Sequence, residues 1–240
     1  MTALGIEIFD FNDVFDLSVN DVSTLVEIGS YDNAITGTTG ADTLDGTEDN
    51  DLIVGLSGDD VINGYGGDDQ IQGGDDDDQL YGGDGDDTLL GGAGEDLLEG
   101  GDGDDILSAG DTSETPSSPQ AGNTLRGGAG NDTLDGGYEN DVLEGGSGND
   151  VMRGDYGDDE YRGGAGNDVM VDADDASVYY YDLGDGDDLI FDNRSDFDTD
   201  TIEFGAGITA NDLTFTFVIV DASPYTDYYA VPRSPHNLQR

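Results

Sequence analysis

A nine-residue unit repeats almost without a break from Gly37 to Val171, and it restricts the possible folds more than any other feature of the chain. Its clearest copy is Gly82-Gly83-Asp84-Gly85-Asp86-Asp87-Thr88-Leu89-Leu90. Fifteen consecutive units fit this stretch. Glycine opens all but two of them, aspartate holds the sixth place in all but two, and the eighth place is apolar in all but one. Self-similarity at a fixed short period marks a solenoid, in which each unit contacts only its neighbours.

The unit reads as a six-residue turn followed by a three-residue strand. Side chains alternate across a strand, so an inward eighth place leaves the seventh and ninth pointing outward. The sequence agrees. Place eight holds Leu44, Ile53, Ile62, Ile71, Leu80, Leu89, Leu98, Leu107, Leu125, Leu134, Leu143, Met152, Tyr161 and Met170, whereas the flanking places mix Gln70, Thr88, Glu99 and Arg153. One inward residue per strand cannot make a core. Two facing strands joined by two turns make an 18-residue coil, and stacked coils bury a continuous apolar row. At about 4.8 Å per coil the array spans roughly 35 Å. Such a core is thin, and glycine adds to the entropy cost of ordering the turns. Something besides apolar burial must stabilise them.

Charge points the same way. The 240-residue chain carries a formal net charge of -51, from 57 acidic residues against six arginines. Without counter-ions such a chain repels itself and stays expanded. Nucleic acid is not expected as a partner because no basic patch exists to neutralise phosphate, and an anionic membrane surface is not expected for the same reason. There is no cysteine, so neither disulfides nor thiolate sites are available.

The turns can take cations. Glycine permits positive φ and close backbone approach, so carbonyl oxygens can converge, and the sixth place adds a carboxylate. The candidate side-chain ligands are Asp42, Asp51, Asp60, Asp69, Asp78, Asp87, Asp96 and Asp105, then Asp132, Asp141, Asp150, Asp159 and Asp168. The candidate main-chain carbonyls are those of Gly82, Asp84, Gly91, Gly100, Gly127, Gly145 and Gly163. Turns on one edge lie two units apart, which places Asp87 and Asp105 on one edge, Asp78 and Asp96 on the other. An all-oxygen, flexible, anionic site suits Ca²⁺. Mg²⁺, which prefers strict octahedral geometry, fits less well, and zinc or copper would need more than the single His236. Thr38, Thr47, Leu56, Tyr65 and Asp155 replace the second glycine, and Asp49, Asp76 and Glu139 the fourth, so sites in those turns are expected to differ.

The pattern GGxGxDxUx, in phase over residues 37–171, resembles the hemolysin-type, or RTX, calcium-binding repeat family. The resemblance implies an all-β fold: a right-handed parallel β-roll, with multiple Ca²⁺ ions held between successive turns. It also implies a secreted bacterial protein exported unfolded by a type I secretion apparatus and folded by external calcium. Without calcium the repeats are expected to be disordered.

Four regions follow. Residues 1–36 form an N-terminal flank or cap, with strands expected near Ile6–Ile8 and Val14–Leu17. Residues 37–171 form the roll, interrupted at 109–126 by the proline-containing AGDTSETPSSPQAGNTLR, read as a surface excursion or one degenerate coil that keeps the phase. Residues 172–221 form a C-terminal β cap, with one nonad-like unit, Leu183 to Phe191, two residues out of phase. Residues 222–240 form a loosely ordered tail. Met1 to Asp10 lacks the basic start and apolar block of a cleaved signal. The proline and arginine content of the last 20 residues does not resemble a usual secretion signal, and the chain is read as a truncated or frame-shifted copy. No HExxH helix, nucleophile elbow or catalytic-sized region occurs, so no enzymatic activity is expected. The leading expectation is a secreted calcium-binding module. The alternatives are the C-terminal module of a larger toxin, adhesin or enzyme such as a protease, lipase or alginate epimerase, and an adhesive surface spacer.

Overall fold

A computed structural model of the protein describes residues 31–110, 121–174, 176–192, 199–209, 215–220 and 227–232. The chain divides into two units, Met1–Ser30 and Tyr31–Arg240, and every described residue belongs to the second. The strands expected near Ile6–Ile8 and Val14–Leu17, like residues 111–120 of the interruption, lie outside the described residues.

The described strands are β1 (Asn33–Thr36), β2 (Thr43–Asp45), β3 (Asp51–Ser57), β4 (Val61–Gly66), β5 (Gln70–Asp75), β6 (Gln79–Asp84), β7 (Thr88–Ala93), β8 (Leu97–Asp102) and β9 (Ile106–Ser108). After the interruption come β10 (Ala121–Ala129), β11 (Thr133–Gly137), β12 (Asn140–Ser147), β13 (Val151–Tyr156), β14 (Glu160–Ala165), β15 (Val169–Asp174), β16 (Val178–Tyr181), β17 (Leu189–Asp192), β18 (Thr201–Phe204), β19 (Phe215–Val220) and β20 (Asp227–Pro232). Successive strands alternate between two sheets. One has eleven strands in the order β1-β3-β5-β7-β9-β11-β13-β15-β17-β20-β19, and the other has nine in the order β18-β16-β14-β12-β10-β8-β6-β4-β2. From β1 to β18 every pairing within a sheet is parallel. The fold is therefore a parallel β-solenoid of about 8 turns, with about 18 residues per turn.

The register places like on like. Ile53 pairs with Ile71, Ile71 with Leu89 and Leu89 with Leu107, while Leu80 pairs with Leu98 in the facing sheet. These eighth-place side chains fill one core between the sheets, and Leu80, Leu89, Leu98 and Leu107 are wholly buried. Tyr161 and Tyr179 continue the row as a stacked pair with centroids 4.9 Å apart.

The strands are longer than the three residues read from the pattern. β7 runs from place seven of one unit to place three of the next, with the alternation half-buried, buried, half-buried, buried across Thr88, Leu89, Leu90 and Gly91. The opening glycines thus belong to the ladder, because a chain without Cβ atoms lets the next rung pair directly over it. The turn shrinks to about the fourth to sixth places, a glycine followed by polar, mostly acidic residues.

The interruption changes the step between rungs. Leu125 pairs with Leu98, and Leu134 pairs with Leu107. Both steps are 27 residues, one nonad more than between the regular rungs. The phase of the nonads survives, but one unit is set aside, so those after the interruption swap edges relative to a strict 18-residue count.

The solenoid also runs past Val171. β16, β17 and β18, within the region read from the sequence as a C-terminal β cap, extend the two parallel sheets. Tyr179, Ile190 and Ile202 keep the inward row while the turns lengthen: Ile190 pairs with Met170, 20 residues away, and Ile202 with Tyr179, 23 away. The extra residues fall outside the strands, where they cost no core contact. β20 pairs antiparallel with β17 and with β19, closing one end of the larger sheet. Within residues 222–240, read from the sequence as a tail, β20 is the described segment, and its run Tyr228-Tyr229-Ala230-Val231 favours β structure.

Candidate metal sites along two edges of the roll

The sixth-place aspartates stack into two ladders, one on each edge. On the first edge the Asp51 main-chain N–H donates to Asp69 Oδ1 at 2.7 Å, and the pattern recurs from Asp69 to Asp87, Asp87 to Asp105 and Asp105 to Asp132. It continues from Asp132 to Asp150, Asp150 to Asp168 and Asp168 to Asp188. The second edge runs Asp42, Asp60, Asp78, Asp96, Asn123, Asp141, Asp159, Ser177 and Asp200, each N–H donating to the next side chain at 2.7 to 3.2 Å. Each regular carboxylate replaces a main-chain acceptor where the ladder crosses the turn. The same residue's carbonyl rejoins the ladder, as where Thr88 N–H donates to Asp69 O at 2.9 Å.

That arrangement uses one carboxylate oxygen per rung. The other, Oδ2, is buried without a hydrogen-bond partner at Asp60, Asp69, Asp78, Asp87, Asp105, Asp132, Asp150, Asp159 and Asp168. Buried polar atoms are nearly always paired, so a periodic row of exceptions calls for a ligand. The unpaired oxygens face the opening glycines. A Cβ at Gly82 would lie within 3.0 Å of both Asp87 Oδ2 and the Gly100 carbonyl oxygen of the next rung. The same convergence occurs at Gly64 with Asp69 and the Gly82 carbonyl, at Gly73 with Asp78 and the Gly91 carbonyl, and at Gly145 with Asp150 and the Gly163 carbonyl. A side chain would fill the space that these oxygens share. Gly127 and Gly145 occupy the same buried opening place. Asp84 is exposed, and its carbonyl already accepts from Gly67 N–H at 2.9 Å.

Among the described residues no three or more His, Cys, Asp or Glu side chains cluster as a metal cage. The gaps at Gly55, Gly64, Gly73, Gly82 and Gly145 instead join a carboxylate oxygen to a main-chain carbonyl of the neighbouring rung, while the gap at Gly154 brings the Tyr161 hydroxyl beside Asp159 Oδ2. Hard, oxygen-only donors with net negative charge match Ca²⁺.

Burial raises the carboxyl pKa values. Asp69, Asp105 and Asp132 are pushed up to about 6, and Asp78, Asp87, Asp150 and Asp188 to about 7. Asp159 rises to about 9. Loss of hydration is the main cause, opposed by the hydrogen bond from the neighbouring rung's N–H and reinforced by carboxylates on adjacent rungs. A divalent cation would reverse this balance by favouring the ionised form.

Irregular units depart in instructive ways. Thr38 donates from its N–H and hydroxyl to Asp42 Oδ2, and Thr47 does the same for Asp51 Oδ2 at 2.6 and 3.0 Å. Where larger residues replace the second or fourth glycine the strain is visible: Leu56, Tyr65, Asp76 and Asp155 have φ of 96°, 79°, 76° and 66°. Tyr161 reaches out of the core so that its hydroxyl accepts from Gly154 N–H at 2.8 Å and donates to Val171 O at 3.0 Å. Sequence reading did not name Ser177, Asp188 or Asp200 as ladder members. Asp188 was within reach as the sixth place of the shifted unit, but Ser177 and Asp200 follow turns that have lost their glycines and their period.

The model of one family, the RTX calcium-binding nonapeptide repeat in four copies, matches residues 28–62, 45–80, 54–89, 81–112, 121–151 and 135–170. Together these matches span more than half of the chain. No curated protein sequence matches it.

Proposed function

The chain belongs to the RTX calcium-binding nonapeptide-repeat family, and on that premise we propose that it is a calcium-binding module of a secreted bacterial protein. It folds as calcium enters the gaps between rungs. The observation that carries this reading is the row of buried Oδ2 atoms without partners, which at Asp60, Asp69, Asp78, Asp87 and Asp150 converge with a glycine carbonyl of the next rung.

The ligands are the sixth-place aspartates from Asp60 to Asp168, with carbonyls such as those of Gly82, Gly91, Gly100 and Gly163. Asp42 and Asp51 contribute less, since threonine already serves their second oxygen. Calcium supplies positive charge and links oxygens of successive rungs. The chain's own contribution is to hold those oxygens in register through the Oδ1 ladder and the apolar row. An unfilled roll buries acids that repel one another, and an unfolded chain with a net charge of -51 stays expanded. Folding is thus tied to calcium, which suits export through a low-calcium cytosol by a type I apparatus into a calcium-rich exterior. The family is a structural repeat and not a catalytic one, and the role proposed is binding and folding.

Equilibrium dialysis with radioactive calcium tests the sites. The protein should retain several ions per chain, and Asp150→Ala, which removes oxygens from a gap and a ladder bond, should raise the half-saturation concentration at least about tenfold. Retention no greater than that of an unstructured acidic peptide would refute the reading.

A further inference from the structure

We infer that the two edges of the roll hold calcium differently: the first as one unbroken row from Asp69 to Asp168, the second as two short rows separated by a calcium-free rung at Asn123. This rests on the calcium reading above.

Asn123 lies 1% exposed in the second ladder. Its Oδ1 accepts from Asp96 N–H at 2.8 Å, as an aspartate there would. Its other arm differs. Where a regular rung offers a carboxylate oxygen, Asn123 presents Nδ2, which donates to Asp141 Oδ1 at 3.2 Å. Asp141 Oδ1 thus accepts from both the main-chain N–H and the amide of Asn123, and the amide N–H₂ repels a cation where a carboxylate oxygen would attract one. Both arms of the Asn123 amide are therefore paired within the protein.

The interruption explains why only one edge is broken. Setting one nonad aside brings Asp132 directly after Asp105, with the Asp105 N–H on Asp132 Oδ1 at 2.9 Å. The first row therefore crosses the interruption with no missing carboxylate, and the whole defect falls on Asn123 opposite. Hydroxyl side chains limit the rows at their ends. Thr38 and Thr47 donate to the outermost aspartates, and Ser177 closes the second edge by accepting from Asp159 N–H at 3.1 Å through a hydroxyl with no second oxygen. Outside the roll, Arg126 ties Glu99 to Glu144 across the same step, at 2.8 and 3.0 Å, so the calcium-free rung also carries a cation of its own on the sheet face.

The test compares Asn123→Asp with Asp132→Asn in the full chain, reading bound calcium at saturation by equilibrium dialysis and β content by far-UV dichroism. Asn123→Asp should bind about one more ion with its β signal intact. Asp132→Asn should bind fewer ions yet stay folded in calcium, because an amide can take the ladder bond. If Asp132→Asn loses ions while Asn123→Asp gains none, or loses order at saturating calcium, the divided edge is overturned and the calcium reading stands. If Asp132→Asn unfolds in calcium, the premise that an amide can replace an ion in a rung is wrong. If neither variant changes the ion count, the sixth place is not the ligand and the calcium reading fails with it.

Discussion

At each regular rung one aspartate does two things with two oxygens. Oδ1 closes the backbone ladder across the turn, and Oδ2 lies buried beside a glycine, where the proposed function places a cation. Removing the cation leaves a desolvated carboxylate, and the pH response follows. In calcium-free protein the folded-state values of about 6 at Asp69 and about 7 at Asp87 and Asp150 lie above the unfolded value near ~4. Protons then favour the folded state, so these groups lend full stability below about pH 4 and lose it as pH rises through 6 to 7. Calcium-stripped protein should show β structure in acid and lose it toward neutrality in a dichroism titration. In saturating calcium the trend should invert, with the ion released on acidification. The glycine opposite is equally constrained. Gly82→Ala would push a methyl within 3.0 Å of Asp87 Oδ2 and the Gly100 carbonyl, whereas Gly40→Ala meets nothing within 4 Å. The first should cost about 1–3 kcal/mol in calcium-saturated thermal or denaturant unfolding and the second close to nothing.

At the scale of the rung, the inward eighth place and the acidic sixth place were both plain in the sequence, because each recurs at a fixed position. Leu89 illustrates the first. It is wholly buried between two like residues, and Leu89→Ala should cost about 2–5 kcal/mol in calcium-saturated unfolding while the number of bound ions stays unchanged. What the pattern did not reveal lies where the backbone, not the side chains, decides. Gly91 and Gly92 extend β7 because they lack side chains to obstruct the pairing, and no polarity pattern marks such an extension. The 27-residue step at Leu125 is equally invisible, since 18 and 27 are both multiples of nine and only pairing tells them apart. Ser177 and Asp200 sit in the second ladder because turn lengths there vary while the inward row of Tyr179 and Ile202 holds its place.

For the whole molecule, the fold class and the stacking of the sixth-place acids were legible because both follow from a repeated unit: one apolar residue per strand requires stacking, and stacking brings the acids into columns. The continuation of the roll to Phe204, and the antiparallel strand Asp227–Pro232 at one end of the larger sheet, were not, because both occur after the nonad period has faded. A stack of this form has a thin apolar core and two acidic edges, so its order should depend on the ions at those edges. The central claim is that calcium and the roll appear together. Far-UV circular dichroism of the full chain during a calcium titration tests it most directly. The account predicts a coil spectrum in chelator at neutral pH and a cooperative rise of β signal, at roughly 0.1–1 mM calcium, reversed by chelation. A β spectrum already complete without calcium at neutral pH, or a coil spectrum that persists at saturation, would contradict it.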